Sequence, residues 1–510
     1  MRYIFPLFLV LSCLLTFLPG CEPKEDMVQT SGKLEFAADT VLFDTVFTTI
    51  KTVTKRLWVY NRNGGAVKTD VSLAGTAGTT YSLVINGDAG NMATGVTVRG
   101  NDSLLVLVRA VLGDNGQATA PKQFLVTDQV NFRTNGNEQN VKLVAYGQNA
   151  YFHRADFVQR STTWATDKPH VIISASRVLT AGAAPVVFGV LVGDGITLTI
   201  PKGARIYSHA GAYLQVNGRL LVGQDFRPGT GATDTVKATN PNIVRFQGDR
   251  LEPFYADVPG QWGGIVFSGS GSGTISYAEI KNSTFGALLY NPENTAPTRP
   301  SLTMNNTVIR NISGANLSFA NTTASSGGGI ISYSGNVTAT NCLFTNCGEY
   351  AVLAVGGGSH NFNFCTFANY TPSFRRETSS LTFTNEKATD AKVKLPLTLN
   401  LRNSVVWGSF EGELFLKNHA DYITPTSIRN TLVKTKEYAT NPAVLGSTNL
   451  LNQDPLFVRT SLTSSRPDYR LQPTSPAFSR PAADPATVPT RDLLNLLRPN
   501  LVTPSLGAYK

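Results

Sequence analysis

The sequence predicts an all-β protein in two parts, an antiparallel β-sandwich followed by a parallel β-helix. Three observations support this. Apolar and polar residues alternate in short runs between about residues 34 and 152. One short strand motif then recurs between residues 278 and 433. Finally, the chain has 45 glycines and only 15% charged residues, a composition that suits strands and turns better than long helices.

The N-terminus reads as a bacterial lipoprotein signal. Arg2 supplies the positive start, and the apolar stretch that follows is too short to remain as a spanning helix. Leu18-Pro19-Gly20-Cys21 then resembles the motif whose cysteine is lipidated and becomes the first residue. The resemblance implies a signal peptide over 1–20, lipidation at Cys21 and a lipidated linker over 21–33. An ordinary secretory signal and a retained anchor helix are the alternatives.

Three charged residues follow the lipidation motif. Lys24-Glu25-Asp26 resembles the export signal of surface lipoproteins in Bacteroidetes-type bacteria. It implies a protein that is held in the outer membrane by its N-terminal lipid and exposed on the cell surface. Without that signal, the protein faces the periplasm.

Residues 34–152 form the first predicted domain. Runs such as Leu104/Val106/Val108 and Val141/Leu143/Ala145 have the period of two expected for strands with one buried face. Turn signals such as Asn135-Gly136-Asn137 separate the runs. About seven such strands fit an immunoglobulin-like (Ig-like) β-sandwich. Clustered histidines, cysteines and paired carboxylates are lacking in this segment, so a spacer or docking role is expected.

Residues 153–196 are predicted to form a connector and the entry to the β-helix, and the β-helix itself is predicted over 197–449. Short strands recur at intervals close to one solenoid coil, so successive copies should stack in register. Small residues occupy the first site of each copy, and an asparagine precedes four of them, where it would help a tight bend. The copies are Ala278-Glu279-Ile280, Thr307-Val308-Ile309, Cys342-Leu343-Phe344, Cys365-Thr366-Phe367, Ser404-Val405-Val406 and Thr431-Leu432-Val433.

These repeats resemble a right-handed parallel β-helix of the pectin-lyase-like superfamily. Residues 450–510 resemble the choice-of-anchor Q domain, which implies a C-terminal cap. Ser479-Arg480-Pro481 departs from that family's acidic residue and glycine, and Lys510 extends the chain. The segments that carry the resemblance are Asp454-Pro455-Leu456-Phe457, Asp468-Tyr469-Arg470-Leu471-Gln472-Pro473-Thr474-Ser475-Pro476-Ala477 and Leu506-Gly507-Ala508-Tyr509.

Relatives of this fold include polysaccharide lyases and hydrolases, which need converging carboxylates. The acids of the solenoid are dispersed along the sequence; Glu411-x-Glu413 is the only close pair on one face, and Glu279 is expected to be a solvated acid on a sheet face. One excursion combines acids with aromatic residues, although a lid over the solenoid is its favoured interpretation. Its weak catalytic candidates are Asp249, Glu252 and Asp257, and its candidate ligand-binding residues are Tyr255 and Trp262.

Cys342, Cys347, His360 and Cys365 approach the spacing of zinc ligands. Cys342 and Cys365, however, occupy the same inward site one coil apart. Stacked buried thiols are therefore the favoured interpretation, with a disulfide or zinc as alternatives. No cofactor or metal is expected.

The chain carries a net charge of +10, but its basic residues are scattered. No basic run alternates with aromatic residues, so nucleic acid binding is not expected. The function predicted is that of a non-catalytic outer-membrane surface lipoprotein whose β-helix rod serves adhesion or binds a polysaccharide or cell-surface glycan. One alternative is a polysaccharide lyase or glycoside hydrolase that acts on an extended glycan, acidic glycans included. The other is a purely structural envelope protein.

Overall fold

The computed structural model describes residues 27–50, 52–113, 123–229, 236, 240–314, 316–319, 322–373, 375–424 and 427–510. The predicted signal peptide, Cys21 and the export signal lie outside these residues. Within the described residues, no helix is both long and apolar enough to span a membrane. The chain divides between Asn149 and Ala150 into two compact units.

The N-terminal unit is a β-sandwich with an Ig-like fold, as the alternating pattern predicts. Its core contains the inward residues of every long strand, for example Leu104, Val106 and Val108, each no more than 2% exposed. Strand β2 pairs in parallel with β10, and the other pairs are antiparallel. The first sheet comprises, in spatial order, β1 (Glu35–Phe36), β3 (Lys55–Tyr60), β8 (Ser103–Ala110), β5 (Tyr81–Ile85) and β6 (Asp88–Ala89). The second sheet comprises β2 (Thr40–Phe47), β10 (Asn137–Gln148), β9 (Gln123–Thr134), β4 (Val67–Leu73) and β7 (Met92–Val98).

The second unit is a parallel β-helix with three sheets, here called faces 1, 2 and 3. Nine coils contribute one strand to each face, two further strands extend face 1 alone, and a continuous apolar core fills the interior. Face 1 comprises β11 (Tyr151–Arg154), β14 (His170–Ile173), β19 (Arg205–Ser208), β22 (Val244–Gly248), β25 (Ala278–Lys281), β28 (Val308–Ile312), β33 (Leu343–Cys347), β36 (Thr366–Asn369), β41 (Val405–Gly408), β44 (Leu432–Val433) and β45 (Leu450–Leu451).

The other two faces have the same parallel pairing. Face 2 comprises β12 (Asp156–Val158), β17 (Val190–Val192), β20 (Tyr213–Val216), β23 (Gly264–Ser268), β26 (Ala287–Tyr290), β31 (Gly328–Tyr333), β34 (Tyr350–Val355), β37 (Leu381–Thr384) and β42 (Leu414–Lys417). Face 3 comprises β13 (Thr162–Thr163), β18 (Thr197–Ile200), β21 (Arg219–Val222), β24 (Ser272–Ser276), β27 (Ser301–Asn305), β32 (Asn336–Thr340), β35 (Gly358–Asn363), β40 (Leu397–Arg402) and β43 (Ile428–Arg429).

Short elements decorate the coils. Helix α1 spans Pro442–Leu445, and 3-10 turns span Pro253–Tyr255, His419–Asp421 and Pro485–Thr487. The hairpins are β15 (Ala175–Arg177) with β16 (Val186–Phe188), β29 (Asn316–Phe319) with β30 (Thr322–Ser326), β38 (Glu386–Lys387) with β39 (Asp390–Lys394), and β46 (Phe457–Arg459) with β47 (Asp468–Leu471).

The repeated motif forms one ladder on face 1, as predicted. The register runs from Glu279 to Val308, Leu343, Thr366, Val405 and Leu432. The four asparagines that precede the small residues all have positive φ, namely Asn306 (46°), Asn341 (53°), Asn403 (51°) and Asn430 (48°). The repeat therefore reflects both a buried ladder and a left-handed bend in each coil.

Parallel pairing begins well before residue 197, because β11 already pairs in parallel with β14. The first strands of the predicted connector are therefore coils of the rod. The short strands β12 and β13 are three and two residues long. Polar His153 and His170 replace the usual apolar alternation of a strand, which conceals the repeat in the sequence.

Residues 450–510 lie mainly along the outer side of face 1, whereas the sequence predicts a terminal cap. The three segments that resemble the choice-of-anchor Q domain meet there, since Phe457, Tyr469 and Tyr509 share one apolar cluster with Val405 and Leu432 of the rod. Gly507 is required at its position: its φ is +85°, and an added Cβ would lie 2.5 Å from the Oγ1 of Thr366.

Residues 481–492 form a strap across successive coils. The strap runs antiparallel to the coil order, and four of its contacts are with the predicted ladder asparagines. The contacts are Asn430 Nδ2 to the carbonyl of Pro481, the Ala483 amide to Asn403 Oδ1 (2.8 Å), Asn341 Nδ2 to the carbonyl of Arg491 (2.7 Å) and Asn306 Nδ2 to the carbonyl of Asp492 (3.1 Å). The asparagines thus bend the coils and also hold the C-terminal segment.

Candidate functional site

A groove of about 590 Å³ opens on the outer side of face 2, near its last two strands β37 and β42. Its volume falls within the range of ligand-binding clefts. Aromatic, hydroxyl and charged side chains line it together. The lining residues are Tyr350, Glu377, Thr378, Ser379, Thr382, Phe410, Glu411, Gly412, Leu414, Phe415, Lys436 and Glu437.

The floor of the groove continues an outward ladder on face 2. Leu353, Thr382 and Phe415 occupy successive positions of that ladder. Leu353 is only 5% exposed, whereas Phe415 is 38% exposed. The last rung therefore presents an aromatic surface to solvent, and Tyr350 and Phe410 add two more rings to the walls.

Three glutamates and one lysine give the groove an acidic lining. Lys436 Nζ lies 2.6 Å from Glu411 Oε1, and both side chains are more than 60% exposed, at 71% and 63%. An ion pair this exposed contributes little to stability. Glu377 and Glu437 raise the negative charge of the lining, so the groove as a whole favours a neutral or positively charged ligand.

A buried ion pair holds the two groove-lining segments together. Arg376 Nη2 donates to both carboxylate oxygens of Glu413 at 2.7 Å, and both side chains are fully buried. Glu413 also accepts from the Ser380 hydroxyl at 2.5 Å and from the Phe410 amide at 2.9 Å. The carboxylate therefore joins the segment before β37 to the segment before β42.

The two members of the predicted Glu411-x-Glu413 pair thus have different roles. Glu411 lines the groove, and Glu413 lies beneath it in the ion pair with Arg376. The pair was the one sequence signal that pointed to this part of the chain. Glu377, Glu411 and Glu437 are each separated by roughly one coil, but this spacing is meaningful only once the coils are known.

The three acids of the predicted site are each engaged by a different cation. Asp249 Oδ2 lies 2.7 Å from His209 Nδ1, and Glu252 forms an ion pair with Arg250 at 3.2 Å. Asp257 lies 2.5 Å from Arg310 Nη1. Each of these three carboxylates is thus paired with a basic side chain, and Arg310 also binds Glu279.

Electrostatics keep Asp257 ionised. Burial alone would raise the pKa of Asp257, but Arg310 and Lys281 outweigh it, so the pKa is lowered. The hydrogen bond that His209 donates to the Asp249 carboxylate raises the pKa of His209. A carboxyl group with a lowered pKa is a poor general acid near neutral pH.

The aromatic residues of the predicted site differ in exposure. Arg250 stacks over the ring of Tyr255 at 3.7 Å, and the neighbouring Phe254 is 78% exposed. Trp262 is 1% exposed, and its Nε1 donates to the carbonyl of Lys281 at 2.9 Å. The indole is part of the rod interior.

Glu279 is not the solvated acid that the sequence predicts. It points outward from face 1, but its side chain is only 8% exposed and lies between Arg310 at 2.7 Å and Arg245 at 3.3 Å. Burial raises the pKa of Glu279, but the cations lower it further, so the pKa is lowered overall. Charged residues from adjacent coils cover it, an arrangement that strand alternation cannot show.

The three cysteines among the described residues lie inside the rod. Cys342, Cys347 and Cys365 are free and fully buried. Burial raises the pKa of Cys347 to about 12, which leaves its thiol protonated and unreactive. Among the described residues, no three His, Cys, Asp or Glu side chains are arranged to hold a metal. Cys342, Cys347, His360 and Cys365 therefore do not form the alternative zinc site.

Comparisons with known proteins add little to this geometry. The sequence matches no protein-family model and no curated protein. A solved family 123 glycoside hydrolase from Clostridium perfringens, described in terms of glycolipid glycan hydrolysis, is 7% identical, with a TM-score of 0.16. The match covers 25% of this chain and 30% of that structure. A similarity this weak does not support a shared fold or activity.

Proposed function

We propose that this protein is an outer-membrane surface lipoprotein that binds an extended polysaccharide along the face 2 groove without cleaving it. The groove itself is the observation that supports the proposal. It combines a solvent-exposed ring, Phe415, with polar side chains that converge from two adjacent coils. Sugar rings offer an apolar face and a hydroxyl rim, which suits such a combination.

The charge of the lining narrows the ligand class. Three glutamates face one lysine in the groove, so an acidic polysaccharide would meet repulsion there. A neutral glycan, or one that carries amino sugars, avoids this penalty. The positive net charge of the whole chain favours an acidic glycan. The local charge of the groove favours a neutral or amino-sugar glycan instead.

The open ends of the groove suit an internal segment of a long chain. Strand neighbours in a solenoid are about 4.8 Å apart, close to the length of one sugar unit. A chain that runs along the rod would therefore meet similar contacts in successive coils. Lipidation at Cys21 would hold this surface at the cell envelope.

Binding to the full-length protein can be measured by calorimetry on a panel of neutral, amino and acidic polysaccharides. We expect Phe415→Ala and Tyr350→Ala to weaken binding at least tenfold, about 1.4 kcal/mol each. Phe254→Ala is the matched control, because Phe254 is an exposed ring outside the groove. Equal losses in all three variants, or no binding by the wild type, would contradict the proposal, and the latter would favour a purely structural role.

A glycoside hydrolase is the second candidate function, because three carboxylates line a single groove. Hydrolysis would require two of them about 5–10 Å apart on either side of the bond. Product release should be assayed with each polysaccharide that binds, then repeated with Glu377→Gln, Glu411→Gln and Glu437→Gln. Turnover that one of these variants abolishes, with binding retained, would replace the non-catalytic proposal.

A further inference from the structure

A chain of three short hydrogen bonds crosses the first coils of the rod. His153 Nδ1 lies 2.7 Å from Asp156 Oδ2, and His153 Nε2 lies 2.9 Å from His170 Nδ1. His170 Nε2 lies 2.7 Å from the carbonyl oxygen of Ala165. The two imidazole rings therefore bridge a carboxylate and a backbone carbonyl.

The chain is enclosed by aromatic packing. The Trp164 ring stacks on both imidazoles, with centroids 4.3 Å from His153 and 4.3 Å from His170. His170 is only 2% exposed, and the side chain of His153 is 12% exposed. A cavity of about 540 Å³ lies beside the chain. Its lining residues are His153, Asp156, Val158, Gln159, Arg160, Thr162 and Trp164.

Proton counting fixes the charge of this chain. A carboxylate and a backbone carbonyl only accept hydrogen bonds, so the ring nitrogens that face Asp156 and Ala165 must each carry a proton. The bond between the rings requires one proton more. The two imidazoles together then hold three protons, one more than two neutral rings hold, so one of them is an imidazolium.

His170 is the neutral ring of the pair. Burial lowers the pKa of His170 to about 4, which keeps that ring neutral near pH 7. The hydrogen bond that His153 donates lowers the pKa of Asp156, which keeps the carboxylate ionised. Trp164 stacks at the same distance on both rings, so it favours a cation in the pair as a whole. Asp167 and Arg205 also act on His170, and Arg177 acts on Asp156, whereas Arg160 lines the cavity.

We propose that the Asp156–His153–His170 chain is a proton-operated lock on the first coil of the rod. The lock is closed while the rings share three protons. Loss of one proton at higher pH leaves one of the three bonds without a hydrogen. Gain of a fourth proton at lower pH removes the acceptor between the rings and places two cations side by side.

The first coil depends on this lock because its own strands are short. β12 and β13 contribute three and two residues, and they pair on one side with β17 and β18. Opening the lock would free the segment between Asp156 and Trp164, which forms the wall of the cavity. The shape of this solvent-open cavity would then depend on pH.

The test is nitrogen-15 correlation spectroscopy of the histidine rings in the full-length protein between pH 5 and 9, with backbone hydrogen exchange measured in parallel. We expect His170 to be neutral at pH 7 with its proton on Nε2, and the two rings together to hold three protons. Loss of the third proton should raise amide exchange in residues 151–163 at least tenfold above the base-catalysed rise of an unstructured amide. Asp156→Asn should lower the pH midpoint of that proton loss by about one pH unit or more, because the opposing charge is gone.

His209→Gln is the matched control, because His209 also pairs with an aspartate but is half exposed and belongs to another pair. It should leave both the midpoint of the third proton and the exchange of residues 151–163 unchanged. A ring pair that holds only two protons at pH 7 would overturn the proposal. So would exchange that does not follow the loss of the third proton, or an unchanged midpoint in Asp156→Asn.

Discussion

Faces 1 and 2 of the rod both carry outward apolar ladders, but the chain closes only one of them completely. On face 1, Val405 and Leu432 are fully buried beneath the C-terminal segment. On face 2, the ladder ends at Phe415, which is 38% exposed beside an acidic groove. An outward apolar residue therefore has no fixed meaning on a β-helix. When other residues cover it, the apolar residue stabilises the fold. When it is exposed to solvent, it offers a contact for a ligand.

The sharpest test compares one aromatic residue from each ladder region. Tyr469 is 3% exposed and accepts a hydrogen bond from Thr345 Oγ1 at 2.8 Å. We expect Tyr469→Ala to reduce the free energy of unfolding by about 3–5 kcal/mol, and Phe415→Ala to reduce it by about 1 kcal/mol or less. Urea denaturation measures both variants, and equal losses would show that the two faces do not differ in this way.

The buried ion pair beneath the groove should be nearly as sensitive. Arg376→Met leaves the Glu413 carboxylate buried without its cation, which should cost about 3–5 kcal/mol. The double variant Arg376→Met/Glu413→Leu removes the stranded charge and should recover much of that loss. Denaturant midpoints measure stability, while glycan binding reports the groove. A double variant as unstable as the single one would contradict this account.

Acid should weaken the interior that supports both faces. Burial lowers the pKa of His360 to about 4, whereas an unfolded histidine titrates near 6.5. The unfolded chain therefore binds an extra proton between these values, and stability falls as the pH drops from about 6.5 towards 4. The loss from this residue is at most about 3 kcal/mol.

His360→Leu tests the origin of that loss. The variant should have a smaller difference in melting temperature between pH 7 and pH 4.5 than the wild type. Lowering the pH should weaken the strap and the groove together, because the coils that carry them share the same apolar core. An unchanged acid dependence would assign the effect to other groups.

The smallest effect is expected at the rim of the groove. Lys436→Ala removes an exposed partner of Glu411 and should change the free energy of unfolding by less than about 0.5 kcal/mol. Because the groove becomes more negative, binding of a cationic glycan should strengthen while stability remains the same. Calorimetry and urea denaturation together separate these two effects.

The sequence was sufficient for the fold because the solenoid repeats its physical requirements in every coil. Small residues such as Thr307 and Ser404 mark the inward ladder, and the asparagines before them mark the bends. The first coils could not be recognised as full coils from the sequence, because His153 and His170 occupy positions where an apolar residue is expected. Their stabilisation depends on hydrogen bonds between coils, which have no sequence period.

The groove could not be recognised from sequence for a related reason. Its residues come from separate coils, and Glu377 and Phe415 become neighbours only after the coils stack. Conversely, Tyr255 and Trp262 are close in sequence but differ in burial. Trp262 lies in the core of the rod, whereas Tyr255 is only partly buried. Local clustering is therefore a weak guide to a site on a stacked fold.

The strap has a further consequence for how the molecule reaches its final form. Its backbone meets Asn430, Asn403, Asn341 and Asn306 in turn, so it can dock fully only where those coils lie at the correct heights. A rod that had slipped by one winding would present its amides at the wrong places and leave polar groups unsatisfied. The strap thus checks the alignment of the rod, because it can close over the coils only after they are correctly stacked.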